Sequence, residues 1–474
     1  LSPFDKNSTN KKEVFRLNKN HLAVQEIDML IIGGGASGIF AALGTVYESD
    51  FTGSVAIVEK ESRPLRKLLA SGNGRCNLAN MSELEGHYHG TDPFFVKGAL
   101  RRLSASDLIE LLGRWGLKTR VDHARRVYPR SMRSSSVSLI LLRALARYGL
   151  SVRTETEVLS VEKADDSFHV SLSDGTSVLA RAVVMAAGSP ASPNLGGSSS
   201  GLSIMQSLGH TVLKPLPALV PLNLTNSDVL KGAEGVRFLG NAYFESWAGD
   251  KSPTVTGEFL VTSYGLSGIA SMELARLVSK AQERGHADHH KQDEGVGKIV
   301  IDFLPEIGLK ELEFYLASSL CAVSVNRSRN HARHDSRRLR TEQPESTDDE
   351  EDDVDLNVLL AGVVPEKLGR AIISMKKLDH LRGSQRFAMI AGALKKFELT
   401  VEGTRGFEFA QISTGGAVTA EFNAGTLMSE KVPGLFACGE ILDVDGDTGG
   451  YNLLWAFSSG YQAGISASRY LTGE

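Results

Sequence analysis

The sequence predicts a doubly wound α/β domain, built from both ends of the chain and interrupted by a β-rich insert. Three observations predict it. Near-continuous apolar runs over 27–32 and 182–187 each end at a glycine, as buried parallel strands do. The first run leads through small residues into an apolar-periodic stretch over 39–47, which reads as strand, tight turn and helix. Glycine is in excess, 48 of 474 residues, with no collagen period, so the surplus belongs at special turns and close backbone approaches.

The elements follow in order. A second buried strand over 54–58 ends at Glu59. Helical spacing runs over 92–113 and 136–148, and a β excursion over 151–163 and 167–173 turns at Ser173-Asp174-Gly175. From 215 to 303 the pattern becomes strand-like pieces broken by Pro and Gly, among them 219–224, 242–247 and 298–303. Helices are expected over 311–320, 356–377 and 379–397, strands over 399–402 and 407–412, and a last helix over 453–470. The expected division is a disordered segment 1–26, a first part of the α/β domain 27–214, a β-rich insert 215–304 resumed at 398–412, a helical subdomain 305–397, and the second part of the α/β domain 413–474. Within the helical piece, six arginines precede a run of only Asp and Glu over 348–353, so 327–355 reads as a solvated, disordered insertion.

Composition excludes several classes. A net charge of −4 gives no global footprint for nucleic acid or an anionic membrane, and neither is expected as a partner. Cys76, Cys321 and Cys438 lie far apart without a Cys-x-x-Cys, which argues against a disulfide framework or a thiolate metal site. His286, His289 and His290 sit in a polar loop, and the Asp443, Asp445, Asp447 series lacks the downstream Glu of a calcium loop, so no metal is expected. No stretch reaches the roughly 18 apolar residues of a spanning helix. A cytoplasmic location is expected, with an organelle after removal of a leader as the alternative.

The chemistry is carried by glycine turns. Gly33-Gly34-Gly35-Ala36-Ser37-Gly38 supplies Gly-x-Gly-x-x-Gly at the strand-to-helix junction, where Gly33 permits the turn, Gly35 admits a pyrophosphate and Gly38 allows close packing. Glu59 ends the next strand, placed to accept hydrogen bonds from a ribose diol with a free 2′-hydroxyl. A flavin dinucleotide needs further, distant contacts. Two are visible: the cationic loop 66–77, and a late apolar strand ending in Gly439-Glu440, followed by the Gly449-Gly450 turn that opens the last helix. That turn places backbone N–H groups and a helix dipole where reduction builds negative charge.

Gly-Gly-Gly-Ala-Ser-Gly at 33–38, Arg-Lys-Leu-Leu-Ala-Ser-Gly-Asn-Gly-Arg-Cys-Asn at 66–77, Pro-Ala-Leu-Val-Pro-Leu at 217–222, Tyr-Gly-Leu-Ser-Gly at 264–268 and the run 439–460 together resemble the BaiN / aminoacetone oxidase-like (YhiN-type) family of FAD-dependent oxidoreductases. The resemblance covers about 27–464. It implies a split, glutathione-reductase-like Rossmann FAD domain with a β-barrel-like insert and a small helical subdomain. It also implies activities that include amine oxidation and reduction of conjugated C=C bonds. By matching position, the expected cofactor contacts are Gly33, Gly35, Ala36, Ser37 and Gly38; Glu59 and Lys60; Lys67, Ser71, Gly72, Gly74, Arg75, Cys76 and Asn77; Val158; Ala187 and Gly188; Gly439 and Glu440; and Asp447, Gly449, Gly450, Tyr451 and Asn452. The chain departs from the family pattern at 196–201, at Ser263 and at Ile269.

The expected function is hydride exchange between FAD and a small organic substrate held between the FAD domain and the insert; reduction of the flavin by NAD(P)H as a transient electron donor and its reoxidation by oxygen are both left open. The oligomeric state and the catalytic residues are left open, with Tyr264 and Tyr451 as candidate pocket residues. Cys76 reads as a packed residue near the cofactor rather than a thiolate activated by Arg75 and Lys67. The alternatives are a tRNA-modifying flavoprotein with a reactive cysteine, and a flavin-bound interaction protein without turnover.

Overall fold

The computed structural model describes residues 24–48, 51–287, 295–319, 356–378 and 385–474. The charged insertion 327–355, residues 1–23, Cys321, His289 and His290 lie outside the described residues.

A seven-stranded sheet forms the first layer. Val152–Arg153, Val55–Val58, Val24–Ile32 and Ser177–Met185 lie parallel in that order. The last of these strands then forks. Its start pairs antiparallel with Ser167–Leu172, which pairs in turn with Val158–Ala164, while its end runs parallel to Leu435–Ala437. The late strand is thus part of the same sheet as the first. Met29, Leu30 and Ile31 are wholly buried because helices cover the sheet.

Helix Ala36–Tyr47 packs closely along helix Tyr451–Thr472, and small residues set their distance. A Cβ at Gly460 would lie 2.1 Å from Ser37 O, and one at Gly464 would lie 1.9 Å from Ala41 O. Any larger side chain at either position would force the two helices apart.

The insert is a closed six-stranded barrel. Leu222–Leu224 pairs with both Gly265–Ser267 and Phe397–Thr404, which closes the circle through Val255–Thr262, Arg237–Ser246 and Gly297–Asp302. Helices at 309–319, Leu356–Ala361, Glu366–Lys376 and Gln385–Lys395 lie in sequence between the barrel's last two strands. A ribbon of Val212–Ala218 with Ile412–Ala417 joins the layers.

Several expected elements are corrected. The helix expected over 92–113 is two helices, Lys97–Arg102 and Ala105–Arg114, because Ser104 and Asp107 form a reciprocal capping box that starts a new one. The helix expected over 356–377 stops at Ala361, and Pro365 caps the next. Residues 407–409 turn instead of forming a strand. The 19-residue helix Ile269–Ala287 stands inside a region expected to be all strand; Ala270, Leu274, Ala275 and Val278 are buried at helical spacing.

Candidate functional site

A cleft of about 450 Å³ lies between the sheet, the barrel helix Ile269–Ala287 and the ribbon. Its floor is the first glycine turn. Gly33 adopts φ +109°, donates to Val58 O at 2.8 Å, and would drive a Cβ to 2.4 Å from Ala186 O. Gly38 packs so tightly that its Cβ would meet Gly33 O at 1.9 Å. Gly35 differs, since nothing lies within 4 Å of where its Cβ would be. The helix N-terminus at Gly35, Ala36 and Ser37 therefore faces open space in the cleft.

Glu59 is held by the backbone. Gly34 N donates to its Oε2 at 2.7 Å and Glu61 N to its Oε1 at 2.9 Å, and burial pushes its carboxyl above the ordinary value despite these bonds. Lys60 and Val158 line the cleft beside it. The cationic loop begins with helix Arg66–Ala70 and turns through left-handed Gly72 and Asn73. Lys67 Nζ reaches Glu440 Oε2 at 2.5 Å across the cleft, and Ser189 Oγ donates to the same oxygen at 3.4 Å. The other carboxylate oxygen, Glu440 Oε1, is buried with no hydrogen-bond partner among the described residues, as is Asn77 Oδ1. Both residues line the cleft, and two unsatisfied buried acceptors beside it call for donors on a ligand.

The far end is the turn before the last helix. Gly449 and Gly450 adopt φ +99° and +110°, and a Cβ at Gly450 would strike Ala79 C at 2.5 Å. Asn452 clamps the turn from inside: Gly446 N donates to its Oδ1 at 2.8 Å, and its Nδ2 donates to Gly446 O at 2.7 Å and Asp447 O at 3.1 Å. Asp447 accepts from His87 Nδ1 at 2.9 Å and His89 Nε2 at 2.6 Å. Burial works to raise its carboxyl, but the imidazoles, His89 first, more than offset that and hold it below the ordinary value. The His87 ring stacks on Tyr451 at 4.4 Å.

Nineteen of the expected contacts line the cleft. Gly38, Gly74, Cys76, Gly439 and Tyr451 are not among its wall residues. Gly38 and Gly439 serve close packing, since a Cβ at Gly439 would meet Ser37 Oγ at 2.6 Å. Cys76 is wholly buried and its thiol is pushed up to about 12 by burial, which gives the packed reading and not the thiolate. Tyr264 is not in the wall either; Arg405 stacks over its ring at 4.0 Å. Asp443 accepts from Thr91 N at 2.8 Å, and Asp445 pairs with Arg276 at 3.2 Å. Sequence reasoning missed Leu219, Met272 and Ile412, which form an apolar wall opposite the glycine turns. Leu219 sits at φ +46°, a strained backbone for a branched side chain at a ligand-facing position.

The profile of the HI0933-like protein Rossmann domain matches residues 27–466. The chain belongs to the HI0933-like family. Among its relatives is a 3-dehydro-bile acid delta(4,6)-reductase of Clostridium scindens, 33% identical over 447 residues that cover 92% of this chain and 98% of the relative. A ribosomal RNA dihydrouridine synthase of Escherichia coli is 29% identical over 442 residues, covering 92% and 97%. Of solved structures, a 3-ketosteroid-delta4-(5alpha)-dehydrogenase of Rhodococcus jostii superposes with TM-score 0.43 at 14% identity, over 94% of this chain and 97% of that one. The HI0933-like chain is an enzyme of the FAD-dependent oxidoreductase type, as the resemblance implied. Among the described residues no helix is long and apolar enough to cross a membrane.

The residues fit FAD. Gly35 and Gly188 are open cradles that a Cβ would fill, and the unpartnered Asn77 Oδ1 and Glu440 Oε1 are acceptors for ligand hydroxyl or N–H groups.

Proposed function

We propose that this chain is an FAD-dependent reductase of a C=C bond conjugated to a carbonyl in a small organic molecule. The carrying observation is the cleft itself, where the apolar wall of Leu219, Met272 and Ile412 faces the glycine turns across a gap bordered by buried acceptors. The names of the two relatives support the direction. A delta(4,6)-reductase and a dihydrouridine synthase both add hydrogen across a C=C bond conjugated to a carbonyl, which favours this reading over amine oxidation.

Bound FAD supplies the hydride. The chain's own groups do the rest. The Gly35 helix N-terminus holds the pyrophosphate and Glu59 the ribose diol. Glu440, Asn77, Lys67 and Ser189 hold the polar chain and the ring edge. Gly449 and Gly450 would offer backbone N–H groups and the positive end of the last helix to the flavin. The apolar wall orients the substrate and excludes water. Among the described residues the insert is a closed barrel and not a second dinucleotide fold, and a nicotinamide donor is proposed to visit this same cleft.

A reactive cysteine, needed for the tRNA-modifying alternative, has no support at buried Cys76. One observation favours a second reading, in which the reduced ring is a uridine presented on RNA: Arg75 and Arg126 lie over the Tyr128 ring at the cleft wall, which Arg63 also lines, cations beside an aromatic side chain. Anaerobic protein reduced with NADH or NADPH and then mixed with a cyclic enone should regain its flavin absorbance. Reoxidation by a uridine-containing RNA and not by the enone, lost as salt is raised, would select the second reading. Reoxidation by neither would sink both.

A further inference from the structure

Two carboxylates face each other where the barrel helix crosses the turn before the last helix, and their surroundings differ. Asp447 carries an imidazole on each oxygen. Glu273, one residue after the cleft-lining Met272, instead accepts from a neutral hydroxyl, that of Thr448, a residue of the cleft wall. Burial raises the Glu273 carboxyl above its ordinary value; the Thr448 bond works the other way, the charge of Asp447 adds to the rise, and His87 opposes it. Arg276, one turn further along the helix, is engaged by Asp445, with Lys280 beyond it and Tyr451 on the opposite element. A pair of carboxyls driven apart in this way separates into a proton holder and an ion.

We propose that Glu273 and Thr448 form a proton relay into the cleft, with Glu273 holding the proton and the Thr448 hydroxyl passing it to the substrate. This rests on the C=C reduction argued above. As the β-carbon accepts hydride from the reduced flavin, the C=C electron pair moves to the α-carbon side as an enolate. Thr448 Oγ gives its proton to the α-carbon and takes the proton of Glu273. Glu273, itself only partly buried, is then reprotonated by water. Two hydrogens are thereby added, and the electrons come from the flavin, recharged by the nicotinamide donor. Thr448 is the residue that touches substrate; Glu273 acts through it.

Infrared titration of the flavin-loaded protein without substrate, wild type minus Glu273→Gln, reads the carboxyl directly. A carboxylic-acid band that persists well above the ordinary Glu value of about 4.3 supports the relay, and a carboxyl already ionised at that value overturns it. Single-turnover reduction of an enone reads the transfer. Glu273→Gln and Thr448→Val should slow it by about 10²- to 10⁴-fold and flatten its pH profile, while Thr448→Ser, which keeps the hydroxyl, should stay near wild type. Equal rates in all four proteins overturn the relay and leave the reductase standing. A wild type that binds flavin yet reduces no enone strikes the substrate reading alone, because the infrared titration still decides where the proton sits.

Discussion

Lys67 Nζ lies 2.5 Å from Glu440 Oε2, joining a short helix near the start of the chain to the end of a strand 373 residues later. The pair spans the cleft and leaves the second Glu440 oxygen free of partners among the described residues. Glu440→Gln should therefore fold but hold FAD about 10- to 100-fold more weakly, the loss of one charge-assisted hydrogen bond of about 1.5–3 kcal/mol. Calorimetric titration of the apoprotein with FAD measures it. An unchanged Kd would remove Glu440 from the cofactor site.

Gly35 and Gly38 separate binding from folding. A Cβ at Gly35 meets nothing within 4 Å, so Gly35→Ala should melt like wild type yet lose flavin. A Cβ at Gly38 would meet Gly33 O at 1.9 Å, so Gly38→Ala should be destabilised by about 1–3 kcal/mol or more, with or without flavin. Urea unfolding of both apoproteins checks the contrast, and equal midpoints would contradict it.

How much of this was legible follows from distance along the chain. The turn at 33–38 and the strands around it could be read because each signal is local: an apolar run, a glycine and a helical period all fall within 27–47. The apolar wall could not, since Leu219, Met272 and Ile412 belong to three distant segments that meet only where the ribbon packs against the barrel helix. His87, His89 and Asp447 meet across about 360 residues, and no spacing rule reaches so far. The barrel helix did carry a readable period, but the Pro and Gly around it pointed to strands, and with the helix went Glu273.

Acid should loosen the seam between the early strands and the late loops. His210, its side chain wholly buried, has Nδ1 2.9 Å from Glu421 Oε2 and Nε2 2.9 Å from Ser429 Oγ. Burial lowers the His210 pKa against the pull of Glu421, so the unfolded chain binds that proton more readily, and stability falls as pH drops below about 6.5. Burial works to raise Glu421, but bonds from Lys431, Thr211 and His210 bring it down to about 2, so its contribution, present above about 4.5, is lost between there and about 2. Urea midpoints across pH should decline on acidification, and Glu421→Gln should flatten the lower part of the curve. A midpoint rising as pH falls would refute the assignment.

The described cysteines should be silent. Cys76 and Cys438 are both wholly buried, with thiols pushed up to about 12 by burial. In a Cys321→Ser background, a thiol reagent at pH 8 should label nothing in native protein and two groups after denaturation. Rapid native labelling of Cys76 would revive the thiolate reading.

Because Ser177–Met185 holds Val24–Ile32 on one side and Leu435–Ala437 on the other, the ribosome releases this layer out of order. All six barrel strands have emerged by Thr404, before the strand and helix that complete the sheet layer exist. At the usual 5–20 residues per second, the first glycine turn waits on the order of tens of seconds for Tyr451–Thr472 to cover its helix. From Thr404 to the end of that interval the nascent chain carries all six barrel strands beside an open, apolar sheet face, which makes the sheet layer the part most in need of a chaperone.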